Sequence, residues 1–293
     1  MRNSGKQKNP AKSKLRGRRL LSQNFLVDGT IGDRIVGALP LARGDVVYEI
    51  GAGKGFLTER LVSAGVGVWA IEKDRRLYGM LRKKFPKGTG VHVFHADVLD
   101  LPDDAQPPHG CWLLGNLPFG IGHAILEWVF ARRECFRGAV VTLQREVVHR
   151  LLAPPGDSER SAVSLWFQAR ASGVRLFDIP PRAFVPPPRV TSTVMRIEFV
   201  PATPGIESVP GINYIIERAF AQKRKVLANN LRAMGHLTAD DWERLQDQCG
   251  DLLRKRAEEL EAADFVRLAK TLASDRVLPD RDRPLPPGSG IRR

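Results

Sequence analysis

The sequence predicts an open α/β sheet followed by a small C-terminal all-α domain. Between residues 46 and 143, short β-rich runs alternate with helix-compatible stretches, as in strand–crossover–strand units. After a linker-like stretch at 201–210, the apolar period turns helical and stays helical to about residue 273. The 293 residues suffice for one sizeable core and a small second domain, and 43% of them are hydrophobic, as in a globular protein. The expected divisions are a basic arm at 1–20, the α/β unit at 21–203, the helical unit at 204–275 and a tail at 276–293.

The chain begins with eight Lys or Arg and no acid in residues 1–20, more than half of the net +14. Such a segment is expected to be disordered when free. It reads either as a solvated tail or as an arm along phosphates. The overall charge favours a polyanionic partner, although basic proteins can also be merely soluble or drawn to membranes. The three cysteines are widely spaced and form no CxxC pair, which fits a reducing compartment. No apolar run nears the ~18 residues of a membrane span. The basic N-terminus has no apolar segment behind it, unlike a secretory signal. The expectation is a cytoplasmic protein, monomeric because no sustained heptad appears.

Leu21–Leu26 is too polar for a core strand and precedes a helix capped by Asp28, with Ile31, Ile35, Val36 and Leu39 as its apolar stripe. Val46–Ile50 is the first core strand. It enters Gly51-Ala52-Gly53-Lys54-Gly55 and a helix from Phe56 to Ala64. This G-x-G-x-G spacing is neither the dinucleotide fingerprint nor a P-loop; it suits close approach of a ligand, or a plain tight turn. Gly67–Ile71 ends at Glu72, an acid about 20 residues after the glycine turn, where it can take ribose hydroxyls or stand as an exposed strand-end charge. Asp74 caps the helix bearing Leu77, Met80 and Leu81. Val91–Asp97 is the third strand, with Asp97 placed to accept from an adenine amino group. His92 and His95 fall on opposite faces of it, so no metal site is expected.

The fourth strand, Cys111–Leu114, runs into Gly115-Asn116-Leu117-Pro118-Phe119. An amide, a rigid proline and an aromatic ring thus meet at a strand's carboxyl end, the ligand edge of an open sheet. A flat base can stack on Phe119, and Asn116 with neighbouring carbonyls can accept from an exocyclic amine. A helix at 122–130, a strand at 139–143, a helix from 144 broken at 154–157 and a helical run at 161–169 follow. Strands at 173–177 and 192–199 flank a proline-stiffened segment, 179–190, that holds Phe184 either as a second stacking wall or as a buried connector residue. Helices are expected at 212–220, 223–234, 239–249 and 263–273. Gln222-Lys223-Arg224-Lys225, with Asn229, Asn230 and Arg232, reads as a basic polar helix, tracking an RNA backbone or simply solvated.

The order of Gln23–Leu26, Glu49–Gly55, Ile71–Asp74, a strand-end Asp97 and Gly115–Phe119 resembles the S-adenosylmethionine (SAM)-dependent rRNA adenine dimethyltransferases. Two branches compete. KsgA-type proteins usually have Gly, Pro, Tyr and Asn where this chain has Ser22, Ala52, Phe119 and Gly120, and Ser22 with Gly53-Lys54-Gly55 looks Erm-like. Ile179–Arg196, Ala219–Leu231, Arg256–Leu260 and Asp264-Phe265 resemble the KsgA (RsmA) type, which is favoured.

The resemblance implies a Rossmann-like SAM-dependent methyltransferase sheet that N6,N6-dimethylates adenines in small-subunit rRNA during ribosome biogenesis. It implies S-adenosyl-L-methionine as cofactor, held by Asn24, Leu26, Gly51, Glu72, Asp97 and Asn116, with Glu49, Gly53 and Val98 as weaker candidates. It makes Asn116, Leu117, Pro118 and Phe119 catalytic. Phe184, Lys223, Arg224 and Lys225 would contact an rRNA or ribosomal subunit precursor. The alternatives are an Erm-type large-subunit rRNA methyltransferase, an rRNA-binding assembly factor with secondary methylation, and a DNA adenine methyltransferase. The last is disfavoured because no insertion reads as a base-sequence reader.

Overall fold

The structure, a computed structural model, describes residues 24–118 and 120–273. The expected arm at 1–20, Gln23, Phe119 and the tail at 276–293 lie outside those residues. Nine strands and ten α-helices are described. They are β1 (Phe25–Leu26), α1 (Gly29–Val36), β2 (Val46–Ile50), α2 (Phe56–Ser63), β3 (Gly67–Glu72), α3 (Arg75–Lys84) and β4 (Val91–His95). Then come β5 (Cys111–Asn116), α4 (Gly122–Phe130), β6 (Phe136–Gln144), α5 (Arg145–Leu152), α6 (Ala162–Gln168), β7 (Ala171–Ile179), β8 (Phe184–Val185) and β9 (Ser192–Phe199). The chain closes with α7 (Ile212–Ala219), α8 (Leu227–Arg232), α9 (Ala239–Leu253) and α10 (Ala262–Leu272).

Seven strands form one sheet in the order β4-β3-β2-β5-β6-β9-β7. β4 through β6 are mutually parallel, and β9 runs antiparallel to both β6 and β7. The chain walks outward from β2 to β4 and then returns to β5 on the other side of β2. That reversal opens a crevice at the carboxyl ends of β2 and β5. The register pairs Ile50 with Gly115, so the turn after β2 and the end of β5 stand side by side.

Alternation decides which helices cover which face. Val47, Val68 and Val140 face one layer, packed with Leu26, Ile35, Leu61 and Leu81. Tyr48, Leu113 and Val141 face the other, packed with Leu126, Val129 and Leu151. Helices α1–α3 therefore cover one side and α4 and α5 the other. The caps are those the sequence marks: Asp28 accepts from the Ile31 amide at 3.1 Å, and Asp74 accepts from the Arg76 and Leu77 amides.

Helix α6 belongs to two cores. Trp166 and Phe167 pack into the sheet layer, whereas Ala162, Leu165 and Ala169 pack with α7–α10. The core of the helical unit thus begins well before residue 204. Buried Arg160 ties the two together, donating to the carbonyls of Ala153 at 2.9 Å and Leu260 at 3.1 Å.

The expected helix at 223–234 is shorter. Residues 220–225 form a turn and bend, and α8 starts only at Leu227. The cause is Asn230, whose buried amide donates to the Ala219 and Gln222 carbonyls at 2.7 and 3.2 Å and folds the chain back there. Lys223, Arg224 and Lys225 therefore sit on a turn rather than on a helix face. Asn230 is a structural residue, not a surface one.

Candidate active site

The glycine turn divides its labour. Gly51 has φ +73°, and a Cβ placed there would meet nothing within 4 Å, so its face is open towards the crevice. Gly55, at φ +77°, would push a Cβ to 2.7 Å from the Phe85 ring; it serves the packing of α2 on α3. Gly53 faces the Phe25 ring at 3.4 Å. Lys54 Nζ lies 4.6 Å from the centre of that ring, which makes Phe25 a wall of the site. Sequence reading had treated Phe25 only as part of a motif.

At the end of β3, Glu72 is 4% exposed. Its two carboxyl oxygens accept from the amides of Gly53 at 2.8 Å and Asp74 at 2.7 Å. Burial pushes its pKa up, and the two amides act against that rise. Each oxygen keeps a lone pair, so a fixed carboxylate remains able to accept from a diol. Glu49 lies behind it, fully buried, with its pKa raised to about 7 by burial, while the Thr58 hydroxyl donates to it at 2.6 Å.

Asp97 is not the last residue of a strand. β4 stops at His95, and Asp97 sits in a small turn closed by the Asp100 amide donating to its carbonyl at 2.9 Å. Burial alone would raise its pKa, but the Lys73 ammonium bonded to it and the Leu99 amide at 3.2 Å outweigh burial and lower it. Val98 is buried in the core and Leu99 is exposed beside the carboxylate.

Asn116 is the last residue of β5, two residues longer than the expected strand. Its Nδ2 donates to the Asn24 carbonyl at 3.5 Å, and no described residue donates to its Oδ1. Leu117 buries its side chain and donates its amide to the Thr142 carbonyl at 3.1 Å. A Cβ at Gly115 would lie 2.7 Å from Leu117 Cδ2, so any larger residue there would displace that buried side chain. Pro118 is exposed and accepts from the Ile121 amide at 3.2 Å.

A third segment closes the site. β1 pairs antiparallel with β8, matching Phe25 with Val185 and Leu26 with Phe184. This ribbon carries the proline-rich segment to the residues that hold Asn116. Leu26 and Phe184 point inward, so Phe184 is only 3% exposed and lies in the core. The residues turned outward around this rim are Val185 at 53%, Val27 at 50% and Ile121 at 36% exposure. Sequence reading missed them; period-two alternation along the ribbon is the signal that finds Val27 and Val185, whereas Ile121 precedes α4, off the ribbon.

Lys223, Arg224 and Lys225 are exposed on their turn, with Lys223 Nζ donating to the Ser158 carbonyl at 3.2 Å. Val226 bridges Arg256, and the Leu227 amide donates to the Lys255 carbonyl at 2.7 Å. Arg254, Lys255 and Arg256 are thereby brought beside the turn as a second exposed basic segment. That pairing spans about 30 residues of sequence and has no local signature.

The open face at Gly51, flanked by Glu72 and Asp97 and reaching Asn116, fits SAM: a diol acceptor, an amine acceptor and a glycine cradle lie in one crevice. Among the described residues, no group of three or more His, Cys, Asp or Glu could hold a metal ion. No described helix is long and apolar enough to cross a membrane.

Comparison with known proteins agrees with this geometry. The "Ribosomal RNA small subunit methyltransferase A" of Bordetella pertussis is 37% identical over 260 residues, covering 87% of this chain and 94% of the relative. The protein of the same name from Paraburkholderia xenovorans is 36% identical over 268 residues, covering 88% and 94%. A solved dimethyladenosine transferase from Plasmodium falciparum shares the fold, with TM-score 0.70 at 23% identity over 83% of this chain and 95% of that one. So does the 23S rRNA methyltransferase ErmE, with TM-score 0.63 at 24% identity over 86% and 100%. Residues 14–274 match the family described as "Ribosomal RNA adenine dimethylase". The chain belongs to that family, the SAM-dependent rRNA adenine dimethyltransferases.

Proposed function

We propose that the protein transfers methyl groups to N6 of adenines in small-subunit rRNA, forming N6,N6-dimethyladenosine. The observation that carries this reading is Asn116. It stands at the carboxyl end of β5, pinned through Nδ2 to Asn24, with no described residue donating to Oδ1, next to the open face of Gly51. The curated relatives named for the small subunit favour that rRNA over the large-subunit alternative.

Bound SAM supplies an electrophilic methyl group on a sulfonium. Glu72 would accept from its ribose hydroxyls and Asp97 from its adenine amine, with Asn24 and the backbone of Leu26, whose side chain is buried in the core, lying over it. The target adenine must leave its stack to reach the crevice. Asn116 Oδ1 and the Leu117 carbonyl then accept from the N6 hydrogens. Their partial charges favour a pyramidal nitrogen with its lone pair free and stabilise the positive charge that develops. Both are too weakly basic to take a proton, so this is electrostatic preorganisation, and the acidic proton of the newly methylated, positively charged nitrogen passes to water. The fixed ring of Pro118 holds the two acceptors in register. Phe119 stacks on the base, worth ~1–3 kcal/mol. Lys223, Arg224 and Lys225, with Arg254 to Arg256, hold the phosphates of a subunit precursor. The protein works as a monomer in the cytoplasm.

The test is methyl transfer from labelled SAM to under-methylated small subunits and, separately, to protein-free large-subunit rRNA. Dimethyladenosine in the small subunit is expected. Label in the large-subunit rRNA alone would overturn the choice of substrate. The paired basic segments also suit an assembly factor that holds an immature subunit. In that case an Asn116→Ala protein, inactive in transfer, would still support subunit assembly in cells.

A further inference from the structure

We infer that the outward face of α3 is a docking surface for an RNA phosphate backbone, at the opposite edge of the sheet from the helical unit. The inference rests on the rRNA reading above. Leu77 and Leu81, both buried, fix the inward side of α3. Arg76, Gly79 and Lys83 then line the outward side, with Arg75 and Arg82 as a flanking row. Residues 75–96 contain no Asp or Glu. Among the described residues, Arg75, Arg76, Arg82, Lys83 and Lys87 form no ion pair, and Lys84 alone is neutralised, by Glu59 at 2.9 Å.

Two features of this face work against the helix itself. The helix dipole favours cations in the last turn, which accounts for Arg82, Lys83 and Lys84. It disfavours cations in the first turn, where Arg75 and Arg76 stand with no acid inside the turn; the capping carboxylate of Asp74 is bonded to the Arg76 and Leu77 amides. Gly79 is the second feature. Inside a helix only proline is less favourable than glycine. Gly79 has no positive φ to require glycine, and a Cβ on it would meet nothing within 4 Å, so packing within the protein does not require it either. A bare backbone in the middle of a row of unpaired cations suits close approach by an outside anion chain.

The position suits the substrate. α3 is capped by Asp74, whose amide is held by Glu72 at the crevice. It packs on β3 and β4 at one edge of the sheet, whereas α6, shared with the helical unit, packs on β7 at the other. Six strand spacings separate those edges, on the order of 30 Å. An RNA gripped at both edges is held across the crevice between β2 and β5.

The experiment compares wild type with a fourfold variant (Arg75→Gln, Arg76→Gln, Arg82→Gln, Lys83→Gln) and, separately, with Gly79→Ala and Gly79→Glu. Binding to under-methylated small subunits is measured across a salt series. Methyl transfer is measured on those particles and on a short hairpin bearing only the target adenines. The fourfold variant is expected to flatten the slope of log K against log salt by about 3. It should raise KM for particles and leave kcat and hairpin transfer unchanged. Gly79→Ala should raise Tm, and Gly79→Glu should weaken particle binding about tenfold or more with the fold intact. Unchanged slope and KM would overturn the inference. So would an equal loss on the hairpin, or weaker binding to intact particles with unchanged binding to their deproteinised rRNA, which would assign the face to a protein partner. If wild type methylates no small-subunit substrate, the functional reading fails, while the salt series still decides whether α3 binds RNA.

Discussion

The two walls of the crevice are assembled over very different spans of chain. The wall proposed for the cofactor comes from residues 46–74, two consecutive strand–turn units in which the Glu72 carboxylate is clamped by backbone amides at 2.8 and 2.7 Å. The wall proposed for the target amine draws on Asn24–Leu26, Asn116–Pro118 and Ala183–Val185, joined by a two-residue ribbon and one side-chain bond at 3.5 Å. A wall made of consecutive units inherits its geometry from the sheet. A wall made of distant segments depends on the residues that pin them, and these should be its points of failure.

The largest expected effect is therefore in the ribbon. Phe184→Ala should lower unfolding free energy by ~3–5 kcal/mol, as for other buried Phe truncations. Val185→Ser, one residue on but turned to solvent, should stay within ~0.5 kcal/mol. Denaturant unfolding of both variants measures the difference. An unchanged midpoint for Phe184→Ala, with slowed methyl transfer alone, would instead make that ring a stacking surface for the base.

Asn116→Ala comes next and separates chemistry from folding. Removing one preorganised polar group from a developing charge costs about 10²–10³ in kcat. Its single long bond to Asn24 contributes little to the fold, so Tm should barely move. Near wild-type turnover would remove Asn116 from the mechanism, and a large fall in Tm would make it a strut of the amine wall.

The cofactor wall is tested through pH. Glu49 has its folded pKa raised to about 7 by burial, above the ordinary 4.5. Its contribution to stability is therefore fully present below about pH 4.5 and lost as pH rises through 7, a swing of at most a few kcal/mol. Glu49→Gln, which can still accept from Thr58, should erase that slope between pH 4.5 and 7. Parallel stability curves for the two proteins would contradict the burial argument.

What the sequence made legible follows the same division. β2, β3 and their turns could be read from Val46–Ile50, the glycine run and Glu72, because strand, turn and acid are consecutive and each has a local signature. β9 and the caps at Asp28 and Asp74 were legible for the same reason. Phe184 could be placed on a stiff segment, but its inward direction depends on pairing with Leu26 some 158 residues earlier. The basic turn at 223–225 was taken for helix because charge does not reveal that Asn230 folds back onto it. Likewise α6 looked like part of the sheet unit, since its two apolar faces are distinguishable only once two cores exist to receive them.

Asp97 gives the smallest effect and the finest test of the comparison. Its proposed role puts it with the cofactor wall, yet it is built like neither wall: its side chain is 27% exposed, in a turn beyond β4, and paired with a lysine that is itself 56% exposed. An ion pair so open to water is worth at most ~1 kcal/mol. Asp97→Asn should therefore leave thermal stability within that margin. An amide oxygen can still accept from an adenine amine, so SAM affinity should fall only several-fold. Glu72→Gln should cost far more on both measures, because its NH2 would confront a backbone amide that now donates to a carboxylate. Calorimetric titration of SAM into both variants ranks them. If Asp97→Asn proves the more damaging, cofactor affinity resides in the exposed turn, and the clamped carboxylate is only its support.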